Sequence, residues 1–295
     1  MTLPVSLIVA TYGRESELRA FLDSVAATGD KAVEIILADQ NEDDRVARLL
    51  RQCPEGLNVR HLRLARPGAD AARNAGAALA SHSWLGFPDD DCTYLPGTLP
   101  ALRAAIAESG ASVVSGSTVN EAGVPNILRW RREAGGFDCW SMFRCMSEST
   151  LFIRADVFAA AGGFDPRFGP GAEFPGAEAA EMLVRIFGTG VRGWFEPKIR
   201  IYHPTRIPPW DEAAAARVWA YAFGEGGLVA KQATAPVLWR TAKFIVKHCI
   251  ASLLPRSGLA RCSRRKLVGL AQGYLAYRLL KKTPATETGT TCVSG

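Results

Sequence analysis

Apolar positions fall into two periods that alternate along the first 120 residues. Residues 5–10 (Val-Ser-Leu-Ile-Val-Ala) are apolar on both faces, the pattern of a parallel strand covered by helices on each side. Residues 15–27 follow with Leu18, Phe21, Leu22 and Val25 at helical spacing. The two steps then recur. Residues 34–39 predict a second strand ending on an acid, 45–52 a short helix, 59–64 a third strand and 69–80 an alanine-rich helix. Residues 84–87 (Trp-Leu-Gly-Phe) predict a short buried strand. Pro88 stops it, because proline cannot donate to a ladder. A helix over about 97–109 and a strand over 112–119 complete the series. Alternation of this kind predicts an α/β fold: a doubly wound, mainly parallel, Rossmann-like sheet with right-handed crossovers.

Beyond residue 119 the pattern loosens. Residues 120–147 mix Gly, Trp and Arg with little periodicity. A strand is predicted over 150–153, a short helix over 155–161 and a loop over the glycine-rich 162–171. A helix over 178–188 and one or two strands over 193–202 follow, then helices over 213–223, 235–254 and 264–281. Residues 283–295, rich in Thr, Ser and Gly, are predicted to be disordered.

A chain of 295 residues, 48% hydrophobic and 22% charged, has material for one large or two small domains. The seven cysteines are scattered and none forms Cys-x-x-Cys, so reduced thiols in a cytoplasmic protein are expected. No leader is expected ahead of the first strand, and no run reaches the 18 or so apolar residues of a membrane span. Charge changes the picture more. The net charge is +6, yet residues 226–286 hold twelve Lys and Arg and no acid, which leaves the rest at −6. A basic helical extension on an acidic body points to an anionic partner.

The candidate chemistry gathers where the strand at 84–87 ends. Asp89, Asp90 and Asp91 follow one another at its carboxyl end, the edge where open α/β sheets bind ligands. Two carboxylates 4 Å apart repel by about 4 kcal/mol at an effective dielectric near 20. A hard divalent cation offsets that and keeps phosphates among its ligands. An acidic surface turn capping the next helix is the alternative.

Five segments in order then carry a resemblance: Val-Ser-Leu-Ile-Val-Ala-Thr-Tyr-Gly-Arg (5–14), Ile-Ile-Leu-Ala-Asp-Gln-Asn (35–41), Ala-Ala-Arg-Asn-Ala-Gly (71–76), Phe-Pro-Asp-Asp-Asp (87–91) and Gly-Gly-Phe-Asp-Pro-Arg-Phe-Gly (162–169). Over roughly residues 3–205 the chain resembles a family 2 glycosyltransferase with the A-type nucleotide-sugar-binding fold. The resemblance implies a domain over 1–205, with a nucleotide-binding half (1–119) and an acceptor half (120–205). The basic extension over 206–282 and the tail over 283–295 follow it. It implies a nucleotide-diphosphate sugar donor and a glycan or lipid-linked acceptor in cell-surface polysaccharide assembly, with inversion. Thr11, Tyr12 and Arg14 would contact base and ribose, and Asp39 would accept from the base. Arg73 would reach the phosphates or pair with the acids. Asp89 or Asp90 would contact ribose, and Asp89 with Asp91 would hold Mg²⁺ or Mn²⁺. His203 is a candidate further ligand, with a packed, non-ligating role as the alternative.

On the acceptor side the sequence departs from the family. Members carry Gly-Glu-Asp at a helix start, the aspartate serving as general base. Here Ala179 holds that position and Glu178 is the substitute candidate, with Asp165 and Glu173 as rivals. A helix start is expected to favour ionised Glu178. The basic helices would place the protein peripherally on the inner face of the cell membrane, against anionic lipid. A lid packed on the body is the alternative, and no nucleic-acid motif accompanies the charge. A non-catalytic nucleotide-sugar binder, suggested by Ala179, and a sugar nucleotidyltransferase are the rival functions.

Overall fold

The computed structural model describes residues 2–204, 211–254 and 258–280. The predicted disordered tail over 283–295 and the 205/206 boundary lie outside the described residues. The alternating first third folds as its periods predict. β1 (Val5–Thr11), α1 (Ser16–Ala27), β2 (Val33–Asp39), α2 (Arg45–Leu50), β3 (Asn58–Arg63), α3 (Ala69–Ala78) and β4 (Trp84–Gly86) give four parallel strands. β5 (Thr93–Tyr94), α4 (Thr98–Ser109), β6 (Val113–Val119) and β7 (Gly135–Phe137) follow. Then come β8 (Leu151–Arg154), α5 (Ala155–Ala160), α6 (Glu178–Gly188), β9 (Gly193–Tyr202), α7 (Glu212–Lys231), α8 (Ala235–Ser252) and α9 (Gly258–Leu280).

The strand order is β3-β2-β1-β4-β8-β6-β9-β5, with β7 also on β9. β8 runs antiparallel between β4 and β6, so the sheet is mixed but mainly parallel. Gly86 makes the join possible. A Cβ there would lie 2.8 Å from the Phe152 ring and 2.9 Å from Leu7, so only glycine lets three strands close at this point. Residues 193–202 form one strand. It is parallel to β6 along its length and paired antiparallel with β7 at one end and β5 at the other. Alternate residues of β1 face two cores. Val5, Leu7 and Val9 pack with Leu18, Phe21 and Leu99, while Ile8 packs with Phe158, Leu183 and Leu228.

The helix predicted over 213–223 continues to Lys231, through Gly224, Gly226 and Gly227. These glycines would weaken an isolated helix. Here they let α7 meet its neighbours backbone to backbone: a Cβ on Gly226 would lie 2.2 Å from the Leu270 carbonyl oxygen on α9. Phe174 stacks on Phe223 of α7 and packs against Tyr277 of α9. Lys231 pairs with Asp165 and Glu181. α7 and, of the two basic helices, α9 are thus docked on the acceptor half. α8 differs: Val237 and His248 turn inward, while Trp239, Val246 and Ile250 face solvent.

Candidate active site

The carboxyl ends of β1, β2 and β4 share one edge of the sheet, and the predicted acids meet there. Thr11 ends β1 fully buried, and its hydroxyl donates to Asp90 Oδ2 at 2.9 Å. Thr11 therefore orients an acid, where direct contact with base or ribose was expected. Arg14, on the turn after β1, places one nitrogen 2.6 Å from Asp90 Oδ1 and 2.7 Å from Asp91 Oδ2. Burial pushes the Asp90 carboxyl up to about 6, with Asp91 and Asp89 adding to it and Arg14 opposing. Tyr12 is exposed on the same turn.

Arg73 follows its second expected course and pairs with the acids. It reaches Asp70 Oδ1 at 2.8 Å and Asp89 Oδ1 at 2.9 Å. Its helix is fixed by Asn74, whose side chain accepts from the Phe164 N–H and donates to the Phe164 carbonyl. Each outer aspartate thus commits one oxygen to an arginine and keeps one free of it. Those two, Asp89 Oδ2 and Asp91 Oδ1, each lie 3.8 Å from His203 Nε2. β9 delivers His203: its N–H donates to the Val119 carbonyl at the end of β6. Cys92 completes a set whose ligand atoms all lie within 4.8 Å of one another. Burial, then Asp89 and Asp91, raise the Cys92 thiol well above its ordinary range, and a soft sulfur is a poor ligand for a hard cation. Two carboxylate oxygens and an imidazole remain, a donor set that fits Mg²⁺ or Mn²⁺.

Asp39 ends β2 opposite Thr11 and is 1% exposed. Asn41 donates to its Oδ1 through backbone (2.9 Å) and side chain (2.7 Å), and His61 Nε2 sits 2.8 Å from Oδ2. A carboxylate has about four acceptor positions, which leaves one for the N–H expected from a base. Asn41 also accepts from the Gly13 N–H at 2.7 Å and so ties Asp39 to the first turn.

The acceptor side holds more acid than the sequence suggested. Glu178 opens α6 after Ala177, whose φ of 66° turns the chain inward. Glu178 is 6% exposed, and its Oε2 has no hydrogen-bond partner. Burial first, then Glu148 and Asp70, raise its carboxyl well above the ordinary range, against Arg73. This corrects the expectation from the helix start. A partial charge at a helix end is outweighed by desolvation and like charges. Glu148, on the turn before β8, is itself raised by burial and by Asp89, while the Ala179 N–H and Arg73 act the other way. Burial with its single arginine partner leaves Asp70 raised to about 7. Tyr221 of α7 stands near enough for Glu178 and Glu148 to raise its phenol, after burial. Of the rivals, Asp165 is the weaker base. Burial opposes its ionisation, but hydrogen bonds from Arg167 and Lys231 outweigh that and hold it below the ordinary range. Glu173 is exposed.

Comparison with known proteins identifies the family. The family model for glycosyl transferase family 2 matches residues 6–164, more than half of the chain, and the chain belongs to that family. It is a glycosyltransferase with the A-type sheet. An uncharacterized glycosyltransferase of Haemophilus influenzae is 30% identical over 92 residues, a match that spans only 31% of either chain. Residues 1–349 of S. aureus TarS superpose with a TM-score of 0.60 at 15% identity, covering 94% of this chain and 92% of that one. The same protein in complex with UDP-GlcNAc gives 0.62 at 15% identity, with the same coverage. At that identity the likeness is one of fold.

Proposed function

We propose that this glycosyltransferase moves a sugar from a uridine diphosphate donor to a glycan or lipid-linked acceptor, with inversion, in cell-surface polysaccharide assembly. The observation that carries it is the convergence of Asp89 Oδ2, Asp91 Oδ1 and His203 Nε2 beside the ends of β1 and β2. A Mg²⁺ or Mn²⁺ ion bound there supplies Lewis-acid stabilisation of the leaving diphosphate. The chain's own residues do the rest. Arg14 and Arg73 orient the aspartates, Tyr12 offers an aromatic face to the base, and Asp39 its remaining acceptor position. Asp90 stands on the ribose side, held by Thr11. Glu178 takes the acceptor hydroxyl proton as the new glycosidic bond forms and the bond to the diphosphate breaks. The choice of uridine follows the S. aureus relative, which was crystallised with UDP and with UDP-GlcNAc.

A thermal-shift series tests the donor. UDP with Mn²⁺ is expected to raise the melting temperature more than dTDP or GDP, and more than UDP with chelator, because a ligand stabilises in proportion to its occupancy. Equal shifts with and without metal would remove the ion from the reading. Ala179, where the family has its base, favours a second reading, a non-catalytic binder. Donor binding with neither transfer nor donor hydrolysis would establish that instead.

The same reading places the protein peripherally on the inner face of the cell membrane, through α8. Trp239, Val246 and Ile250 are exposed there, with Lys243 lying over the Trp239 ring and Lys247 one turn on. No helix among the described residues is long and apolar enough to cross a membrane. Apolar surface flanked by cations suits adsorption to anionic lipid, where each basic residue adds about 1 kcal/mol. The chain is expected to co-sediment with phosphatidylglycerol vesicles at low salt and to be released by Trp239→Ala with Lys243→Glu. Equal binding to neutral phosphatidylcholine vesicles would discard the electrostatic part.

A further inference from the structure

A cleft against β6 and β9 is lined by arginines, and nothing in the reading so far uses it. It has a volume of about 670 Å³, and Arg129, Arg131, Arg132, Arg144 and Arg200 line it together with Trp130. No carboxylate lines it. Among the described residues none of the five guanidinium groups forms an ion pair, in a structure where Arg14, Arg73 and Arg185 all do. Like charges gathered without a counter-charge raise one another's energy, and an anion reverses the sign of that cost.

The cavity is built rather than incidental. β6 and β9 form its floor through Ser117 and Arg200, which are paired in register. Its wall is the segment after β6. Arg131 donates to the Gly136 carbonyl, and Arg144 to the Arg129 carbonyl at 3.3 Å. The Trp130 indole N–H donates to the Asn126 carbonyl at 2.6 Å, and Trp130 stacks on Phe195. Asn126 in turn donates to the carbonyl of His203 at 2.9 Å. The wall is therefore pinned to the histidine of the candidate metal site. Arg200 precedes His203 by three residues of extended chain, about 10 Å.

We infer that this cleft binds the phosphate groups of the acceptor, so that the acceptor is a phosphate-bearing glycan. The inference rests on the transfer reading above. Planar guanidinium groups match phosphate oxygens two at a time, and the donor's own diphosphate is already provided for at the aspartates. Phosphodiesters within a glycan chain and the pyrophosphate of a lipid-linked glycan present the same chemistry, so both belong in the test.

The test uses the full chain and its Arg129→Glu/Arg132→Glu variant, with binding followed by calorimetry. The probes are a glycerol-phosphate oligomer, a short polyprenyl diphosphoryl sugar in detergent, a neutral glucan oligomer and a single-stranded RNA of equal charge. The oligomer or the polyprenyl sugar is expected to bind the wild type, and whichever binds identifies the source of the phosphate. The variant is expected to bind it at least tenfold more weakly, with affinity falling steeply with salt. The UDP–Mn²⁺ thermal shift should be the same in both proteins, which also reports that the variant folds. Equal binding of the neutral glucan, tighter binding of RNA, or wild-type affinity in the variant would overturn the inference. Absence of any UDP shift alongside phosphate-oligomer binding would instead overturn the transferase reading and leave the cleft standing.

Discussion

Asp91→Asn is expected to lower metal-dependent transfer by about 10²–10⁴-fold, the several kcal/mol that a metal's charge stabilisation supplies at a leaving group. The substitution keeps the shape of the side chain and removes its charge. Asp91 Oδ2 is held 2.7 Å from Arg14, and its other oxygen is one of the two facing His203. An amide at 91 weakens the hold on Arg14 and halves the carboxylate charge available to a cation. The measurement is turnover titrated with Mn²⁺, beside the Mn²⁺-dependent part of the UDP thermal shift. Both should collapse, while a metal-independent shift persists. Asp43→Asn is the control. Its pair with Arg45 is exposed, so it should leave turnover unchanged. An Asp91→Asn enzyme with the wild-type response to Mn²⁺ would end the metal reading.

These acids were legible in the sequence because their position follows from local rules. A short apolar run stopped by Pro88 must end at the sheet edge, and whatever follows it lies there. The βα series was legible for the same reason: period and length fix each element before packing does. The antiparallel placement of β8 was not, since 151–154 reads as a strand wherever it pairs, and Gly86 opens its slot from another element. His203 was visible as a candidate, but its 3.8 Å approach to both aspartates depends on β9 pairing with β6. Asp70 carries no mark in the sequence, since an acid in the first turn of a helix such as α3 is ordinary. Glu148 had no signal at all. It lies in a stretch without periodicity, and its companions Arg73, Glu178 and Asp89 come from three distant elements. The arginines of the cleft were similarly hidden, because 129–144 carries no pattern that says which of them turn to one side.

Glu148 matters most for the last expected result. Glu178→Gln should cut transfer by about 10²–10⁴-fold, the range of a lost general base, and leave the UDP–Mn²⁺ thermal shift in place. That pattern separates a catalytic carboxylate from one that binds the donor. Glu148→Gln should do something different. Burial, Glu148 and Asp70 together raise the Glu178 carboxyl of the free enzyme above its ordinary range, so transfer should climb with pH as that proton leaves. Taking away the charge at 148 removes one raising cause. Glu178 then ionises at lower pH, and the acid limb of the rate profile moves down. The proton leaves more easily because the base is weaker, so the plateau should also fall modestly, as Brønsted behaviour requires. Profiles of kcat/KM against pH for wild type and Glu148→Gln decide the matter. An acid limb that stays put, or that moves up, would show that Glu178 does not titrate in the rate-limiting step. An active Glu178→Gln enzyme would pass the role of base to another group.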